Sequence, residues 1–315
     1  MRATPALASI VVVGLALTIL ANNAEAKAPN HVSLPIAPTG ISSTAASGGK
    51  AIVDGVNALA RWSSANYLDS VVQQLVTASG ANVGVTLVDL GGSDPTTWDV
   101  DGSAVFTAAS TYKLAALMME AENISAGKTD PNGLVCFEPD DYEAGWFDDY
   151  SPGLCFTRNE LAWRAGITSD NTAGHMLVRD LGGPAALNAW ASSVGASDSD
   201  FFDGNTTTSD DLAALWVAES EGRLGGSLAQ AWLYPLLTDT ATESGIPAGV
   251  GSGVVVAHKT GTLDTVANDA ALVESGPNGP YVITVMTDGL AGAAGWQLIA
   301  AISASVWEYE SLRTR

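Results

Sequence analysis

Three short segments of the chain combine residues that could do acyl chemistry. The first is Ser110-Thr111-Tyr112-Lys113, directly after Phe106-Thr107-Ala108-Ala109. It opens a stretch to Ile124 rich in Ala, Leu, Met and Glu, which predicts a helix. A spacing of three residues puts the hydroxyl and the amine on one helix face. A serine is a weak nucleophile without an adjacent base. A lysine becomes that base when desolvation or a second cation lowers its pKa. The free N–H groups at a helix start also suit a developing oxyanion. The second segment is Ser169-Asp170-Asn171, at a helix boundary where these residue types also serve as caps. The third is His258-Lys259-Thr260-Gly261-Thr262, expected where a strand containing Val254, Val255 and Val256 ends. A glycine there lets backbone approach a ligand closely. Each motif alone is weak, and Ser47-Gly48-Gly49-Lys50 repeats the Ser-x-x-Lys spacing with no helix to fix it.

The elements that must position these segments follow from periodicity. Leu68, Val71, Val72, Leu75 and Val76 mark an amphipathic helix. Val83 to Leu90 and Thr96 to Val100 read as strands joined by a Gly91–Pro95 turn. The middle is helical: Thr157-Arg158-Asn159-Glu160 is a capping box, and helices fit Thr172–Leu181, Pro184–Val194, Asp210–Glu219 and Leu228–Leu237. Val254–His258, Asp269–Glu274 and Tyr281–Thr287 read as strands, and Ala293–Glu308 as a last helix. Closely spaced strands pair antiparallel through short turns. The expected fold is therefore α+β: a five-stranded antiparallel sheet drawn from both ends of the chain, covered by the terminal helices. A helical lobe over about 110–240 completes it, with the site between the two.

Taken in order, Ser-x-x-Lys, Ser-Asp-Asn and Lys-Thr-Gly form the motif set of class A β-lactamases and penicillin-binding proteins. From about Leu68 to Glu308 the chain resembles that superfamily. Lys113 and Lys259 are two of the three lysines that follow the linker. Tyr150-Ser151-Pro152 resembles a stretch of the family's site wall, Thr206-Thr207-Thr208 its Thr-rich helix start, and Ile246-Pro247-Ala248-Gly249 its loop before the Lys-Thr-Gly strand. The resemblance implies that Ser110 is the acylated nucleophile and Lys113 its base or relay. Ser169 would pass a proton to the leaving nitrogen, and Asn171 would bind the substrate amide. Lys259 and Thr260 would hold the substrate carboxylate, with Tyr150 and Thr262 also at the site. The backbone N–H groups of Ser110 and Thr262 would form the oxyanion hole. No metal or organic cofactor is implied; the partner is a small molecule, and the protein a monomer.

The match has two gaps. Class A enzymes carry a loop glutamate that activates the deacylating water, yet no glutamate occurs between Asn171 and Thr206. Asp198, Asp200 and Asp203 are the carboxylates just before the Thr-rich helix, each a methylene shorter than Glu. No arginine lies between Arg223 and Arg313 to assist the substrate carboxylate. Three readings stay open: a β-lactam hydrolase with slow deacylation, a D-Ala-D-Ala peptidase or small esterase using the same site, or a penicillin-binding module that stays acylated.

Composition bounds the rest. The chain has 315 residues, 13 Lys+Arg against 34 Asp+Glu, and a formal net charge of −21. A surface that negative repels phosphate backbones and anionic membranes. Two Cys and three His are too few and scattered for a zinc cluster. Met1-Arg2, the apolar run Ala6–Ala21 and Ala24-Glu25-Ala26 read as a cleavable export signal over 1–26, which predicts a secreted or periplasmic protein. Lys27 to about Lys50 reads as a flexible linker, with the hydrolase domain over 51–315. Cys136 and Cys155 flank one loop and fit a disulfide in an oxidising compartment. The six carboxylates within Glu138–Asp149 could bind calcium or frame a pocket rim.

Overall fold

The computed structural model describes residues 66–91 and 96–313, all within one compact unit, Gly48–Arg315. The expected export signal, the linker and the domain's first residues lie outside the described residues.

A five-stranded sheet runs through the molecule in the order β2-β1-β9-β8-β7. The strands are β1 (Asn82–Asp89), β2 (Thr97–Val100), β7 (Val256–Leu263), β8 (Val266–Gly276) and β9 (Gly279–Asp288), and every neighbouring pair is antiparallel. Alternation along the strands sorts side chains to two faces. On β9, Tyr281, Ile283 and Val285 join Leu68 and Val72 of α1 (66–79) and Leu298, Ile302 and Val306 of α8 (Ala293–Leu312). Val282 and Met286, one residue out of phase, join the core of the helical lobe instead. Both faces are thus covered, as the sequence pattern predicts.

The helical lobe comprises α2 (Tyr112–Ser125), α3 (Arg158–Ile167), α4 (Asn171–Asp180), α5 (Pro184–Ser193), α6 (Ser209–Ser220) and α7 (Gly226–Leu233). Half of the capping box at α3 forms: Thr157 Oγ1 accepts from Glu160 N at 3.1 Å. The Glu160 carboxylate turns instead to Arg164, one turn on. The helix expected over Leu228–Leu237 gives way to a 3-10 turn at Tyr234, because Pro235 cannot donate to the helical ladder.

Two features differ from the sequence reading. Strand β7 continues through Lys259, Thr260, Gly261 and Thr262, rather than ending before them, and β8 starts at Val266. This polar stretch looks like a turn, but β7 is a sheet edge, where alternate backbone groups face outward and need no apolar run. Two minor ladders also form. Strand β3 (Phe106–Thr107) pairs with β6 (Thr206–Thr207), and β4 (Leu134–Cys136) with β5 (Cys155–Thr157). Strands of two or three residues are too short to show a period. In the second ladder Cys136 and Cys155 are opposite one another and disulfide-bonded.

Candidate active site

The segment around Ser110 is fixed from several sides. Ala108 N donates to Asn205 O at 2.8 Å, and Asn268 Nδ2 on β8 donates to Thr107 O at 2.8 Å. Thr111 Oγ1 donates to Ala108 O at 2.7 Å. A 3-10 turn, Ala109–Thr111, carries Ser110 into α2, so the serine precedes the regular helix rather than starting it. Ala109 is held at φ 49°, a left-handed conformation that costs a non-glycine residue about 1–3 kcal/mol. Ser169 is likewise held at φ 61°. Strain thus sits beside the Ser110 hydroxyl and at Ser169 itself.

Lys113, on the first turn of α2, is fully buried. Its Nζ lies 2.9 Å from Ser110 Oγ, 2.6 Å from Ser169 O and 2.7 Å from Asn171 Oδ1, with Ser169 Oγ at 3.4 Å. Burial, and then the charge of Lys259, push its pKa well below the ordinary lysine value, against the pull of Asp170 and Glu143. The Ser-Asp-Asn turn joins α3 to α4. Asp170 caps α4 by accepting from Ala173 N at 2.9 Å, so the capping reading and the placing of Ser169 and Asn171 are one event.

Strand β7 supplies the opposite wall. Lys259 Nζ donates to Ser169 Oγ at 2.8 Å and to Thr260 O at 2.9 Å. Burial lowers the Lys259 pKa to about 7, despite the charge of Asp269. His258 N donates off the sheet edge to Leu237 O at 2.7 Å. The two-residue period then directs Thr260 and Thr262 N–H off the same edge, toward the nucleophile turn. A side chain on Gly261 would place Cβ 2.7 Å from Ala108 O and 3.1 Å from Ser110 N, so only glycine allows this approach.

A cavity of about 430 Å³ opens at this point, lined by Ser110, Asn171 and Thr262 together with Tyr112, Glu143, His175, Phe202, Asp203 and Asn205. Of the expected site residues, Ser110, Lys113, Ser169, Asn171 and Lys259 share one hydrogen-bond network, and Thr260 enters it through its carbonyl. Tyr150 is placed elsewhere. It is buried behind the Ser-Asp-Asn turn, its hydroxyl donating to Asp170 Oδ1 at 2.6 Å, and it does not line the cavity. Its neighbour Arg164 stacks on the Tyr150 ring and clamps Asp149 with two hydrogen bonds.

Sequence reasoning missed Gly174, His175 and Phe202 and left Glu143 within a general carboxylate run. A Cβ on Gly174 would meet Lys113 Cε and Tyr112 Oη, both at 2.8 Å. Gly174 and His175 follow Asn171 by three and four residues, and that spacing is the signal that could have placed them on its face. Phe202 packs its ring against both Tyr112 and His175, at 5.4 and 4.9 Å between centroids. Of the loop aspartates, Asp203 lines the cavity, whereas Asp200 accepts from Asn188 Nδ2. Four of the six carboxylates of Glu138–Asp149 are engaged by cations and amides: Glu138 and Asp141 by Arg179, Asp149 by Arg164, and Glu143 by Asn171. Among the described residues no cluster of three or more His, Cys, Asp or Glu side chains is arranged to hold a metal ion.

A serine hydroxyl 2.9 Å from the amine of a buried lysine, between a five-stranded sheet and a helical lobe, is an arrangement that acyl transfer through a serine requires. The family comparison agrees: the model of the β-lactamase enzyme family matches residues 67–309, and the chain belongs to that family of serine hydrolases. The β-lactamase AST-1 of Nocardia asteroides is 30% identical over 240 residues, 68% of this chain and 74% of that one. The β-lactamase PSE-4 of Pseudomonas aeruginosa is 26% identical over 130 residues, so the chain matches less than half (43%) of that relative's length. Among solved structures, a mutant of PBP-A in its acyl-enzyme complex with penicillin G superposes with a TM-score of 0.71 at 28% identity, over 77% of this chain and 95% of that one.

Proposed function

We propose that this protein is an exported serine hydrolase that opens β-lactam amides through an acyl-Ser110 intermediate and releases the acyl group slowly. The observation that carries this reading is the partner set of Lys113. Ser169 O and Asn171 Oδ1 can only accept, and a neutral amine has two hydrogens to give them. Its lone pair is then directed at Ser110 Oγ, the one strong donor among its close partners. Lys113 takes the Ser110 proton as Oγ attacks the carbonyl carbon. The N–H groups of Ser110 and Thr262 hold the oxyanion, each such donor contributing about 3 kcal/mol at the transition state. The amide C–N bond then breaks, and the leaving nitrogen takes the Ser169 proton, which Lys113 replaces across 3.4 Å. Asn171 binds the substrate amide, and Lys259 and Thr260 its carboxylate.

Slow release is supported by the missing loop glutamate: between Asn171 and Thr206 the cavity is lined by His175, Phe202, Asp203 and Asn205, none of them a glutamate. The same wall favours a second reading, a D-Ala-D-Ala peptidase, since that chemistry runs without the glutamate. Export is supported by the apolar run before Ala24-Glu25-Ala26 and by the Cys136–Cys155 disulfide. Among the described residues no helix is long and apolar enough to cross a membrane. The test is intact-mass spectrometry after mixing with benzylpenicillin, beside Ser110→Ala. A long-lived adduct on Ser110 supports the proposal. Rapid loss of penicillin with only a transient adduct overturns the slow-release step. No adduct and no loss overturns the β-lactam reading, and cleavage of a D-Ala-D-Ala peptide then supports the second.

A further inference from the structure

The cavity wall beside Asn171 is acidic. Glu143 and Asp203 are its carboxylates, and no lysine or arginine lines it. Asn205 Oδ1 is buried without a hydrogen-bond partner. Tyr112 is 93% buried, from a relative exposure of 7%, and its hydroxyl also has no partner. That hydroxyl stays protonated, because burial and the charges of Glu143 and Asp170 raise its pKa.

His175 does not offset that charge. Its Nδ1 lies 3.1 Å from Asp141 O and its Nε2 3.1 Å from Glu143 Oε2. Burial lowers its pKa, and a neutral imidazole has one N–H for those two acceptors. Glu143 Oε1, meanwhile, accepts from Asn171 Nδ2 at 2.7 Å, the donor assigned above to the substrate amide. A bound substrate amide takes over that donor. The freed carboxylate then faces whatever group the substrate carries next to the amide.

We propose that this wall selects substrates with a free ammonium group on the carbon beside their side-chain amide. Glu143 and Asp203 bind that group, and the neutral Tyr112 and Asn205 beside them on the cavity wall carry no charge to oppose it. With Lys259 at the other end, the site is complementary to a zwitterion: carboxylate toward β7, ammonium toward the loop before α4. The inference rests on the acyl-Ser110 reading. It concerns only which acyl group is preferred.

The test compares acylation of the full chain by ampicillin, benzylpenicillin and carbenicillin. These share one nucleus and one phenyl group and carry an ammonium, a hydrogen or a carboxylate on the same carbon. Rate constants are divided by each compound's rate of opening by hydroxide, to remove intrinsic reactivity. The expected order is ampicillin, then benzylpenicillin, then carbenicillin, with the extremes about 100-fold apart at low ionic strength and closer together in high salt. The double variant Glu143→Gln, Asp203→Asn is expected to shrink that ratio below about tenfold, whatever its absolute rates. Equal wild-type rates, the reverse order, or an unchanged ratio in the double variant overturn the proposal while leaving the acyl-serine reading intact. An absence of any adduct with all three overturns both.

Discussion

The Nζ of Lys113 stands 2.9 Å from Ser110 Oγ while its two closest partners, Ser169 O and Asn171 Oδ1, are groups that can only accept. A charged ammonium there would have every hydrogen taken and nothing with which to receive a proton. The neutral amine satisfies the same acceptors and keeps a lone pair for the serine. Burial favours the neutral form, and the nearby charge of Lys259 pushes the same way. Removing the amine should therefore abolish activation of Ser110 without removing the cavity. Lys113→Met is expected to slow acylation by benzylpenicillin about 10²–10⁴-fold, the usual worth of a positioned general base. Stopped-flow or quenched mass spectrometry reads that rate. A variant within tenfold of wild type would exclude Lys113 as the base.

Lys259 sets a pH limit. Its pKa lies near 7 because burial outweighs the attraction of Asp269. Below that value the amine is charged and can bind a substrate carboxylate; above it the charge is lost. The acylation kcat/KM should fall on the alkaline side with a midpoint near 7, since this parameter reports the free enzyme. In Lys259→Arg the guanidinium stays charged, so the alkaline limb should vanish even if the absolute rate is lower. A limb that survives the substitution at the same midpoint belongs to another group.

Gly261 gives a steric test. A Cβ there meets Ala108 O at 2.7 Å and Ser110 N at 3.1 Å, both backbone atoms that cannot rotate away. In Gly261→Ala, β7 must move off the nucleophile turn, separating the Thr262 N–H from that of Ser110. Losing one oxyanion donor costs about 10²–10³ in rate. The expectation is a loss of that size in acylation, with a much smaller change in binding of a non-reacting analogue. Equal losses in both would point to general damage.

His258 gives a stability test. The ring is fully buried, with Nδ1 2.8 Å from Asp269 Oδ1 and Nε2 3.1 Å from Glu243 Oε1. Burial opposes its charge, but the attraction and hydrogen bond of Asp269, aided by Glu243, win and raise the pKa to about 9. The raised folded-state value means the stabilisation is complete below about 6.5, the unfolded value, declines as pH rises, and is gone above about 9. The full amount is on the order of 3 kcal/mol at 1.36 kcal/mol per pKa unit. The difference in unfolding free energy between wild type and His258→Gln, from denaturant titrations, should shrink across that window. A difference independent of pH would mean that the ring is neutral.

Much of the fold was legible because it is periodic. The alternation on β1 and β9, the apolar spacing of α1 and the caps of α3 and α4 are each encoded within a dozen residues. The parts that were not legible lack such a period. Strand β7 runs on through Lys259 to Thr262 because the sheet edge tolerates polar residues there. Tyr150 resembled a wall residue, yet its hydroxyl is committed to Asp170. Nothing in the residue types marks Ala109 or Ser169 for a positive φ; the pairing of flanking segments imposes it.

By itself the sequence determined that Ser110 and Lys113 meet, since they are three residues apart on one turn and local geometry must bring them together. It also determined the absence of a glutamate between Asn171 and Thr206, and the formal net charge of −21. Only the tertiary structure decided how those groups are charged and what faces them. Ser169 Oγ and Lys259 Nζ meet at 2.8 Å across 90 residues of chain. Glu143 reaches Asn171 from 28 residues away, and Phe202 comes to rest between Tyr112 and His175. The physical reason is that a pKa and the charge of a cavity wall depend on burial and on neighbours in space, and a linear order of residues specifies neither until the sheet and the helical lobe have packed.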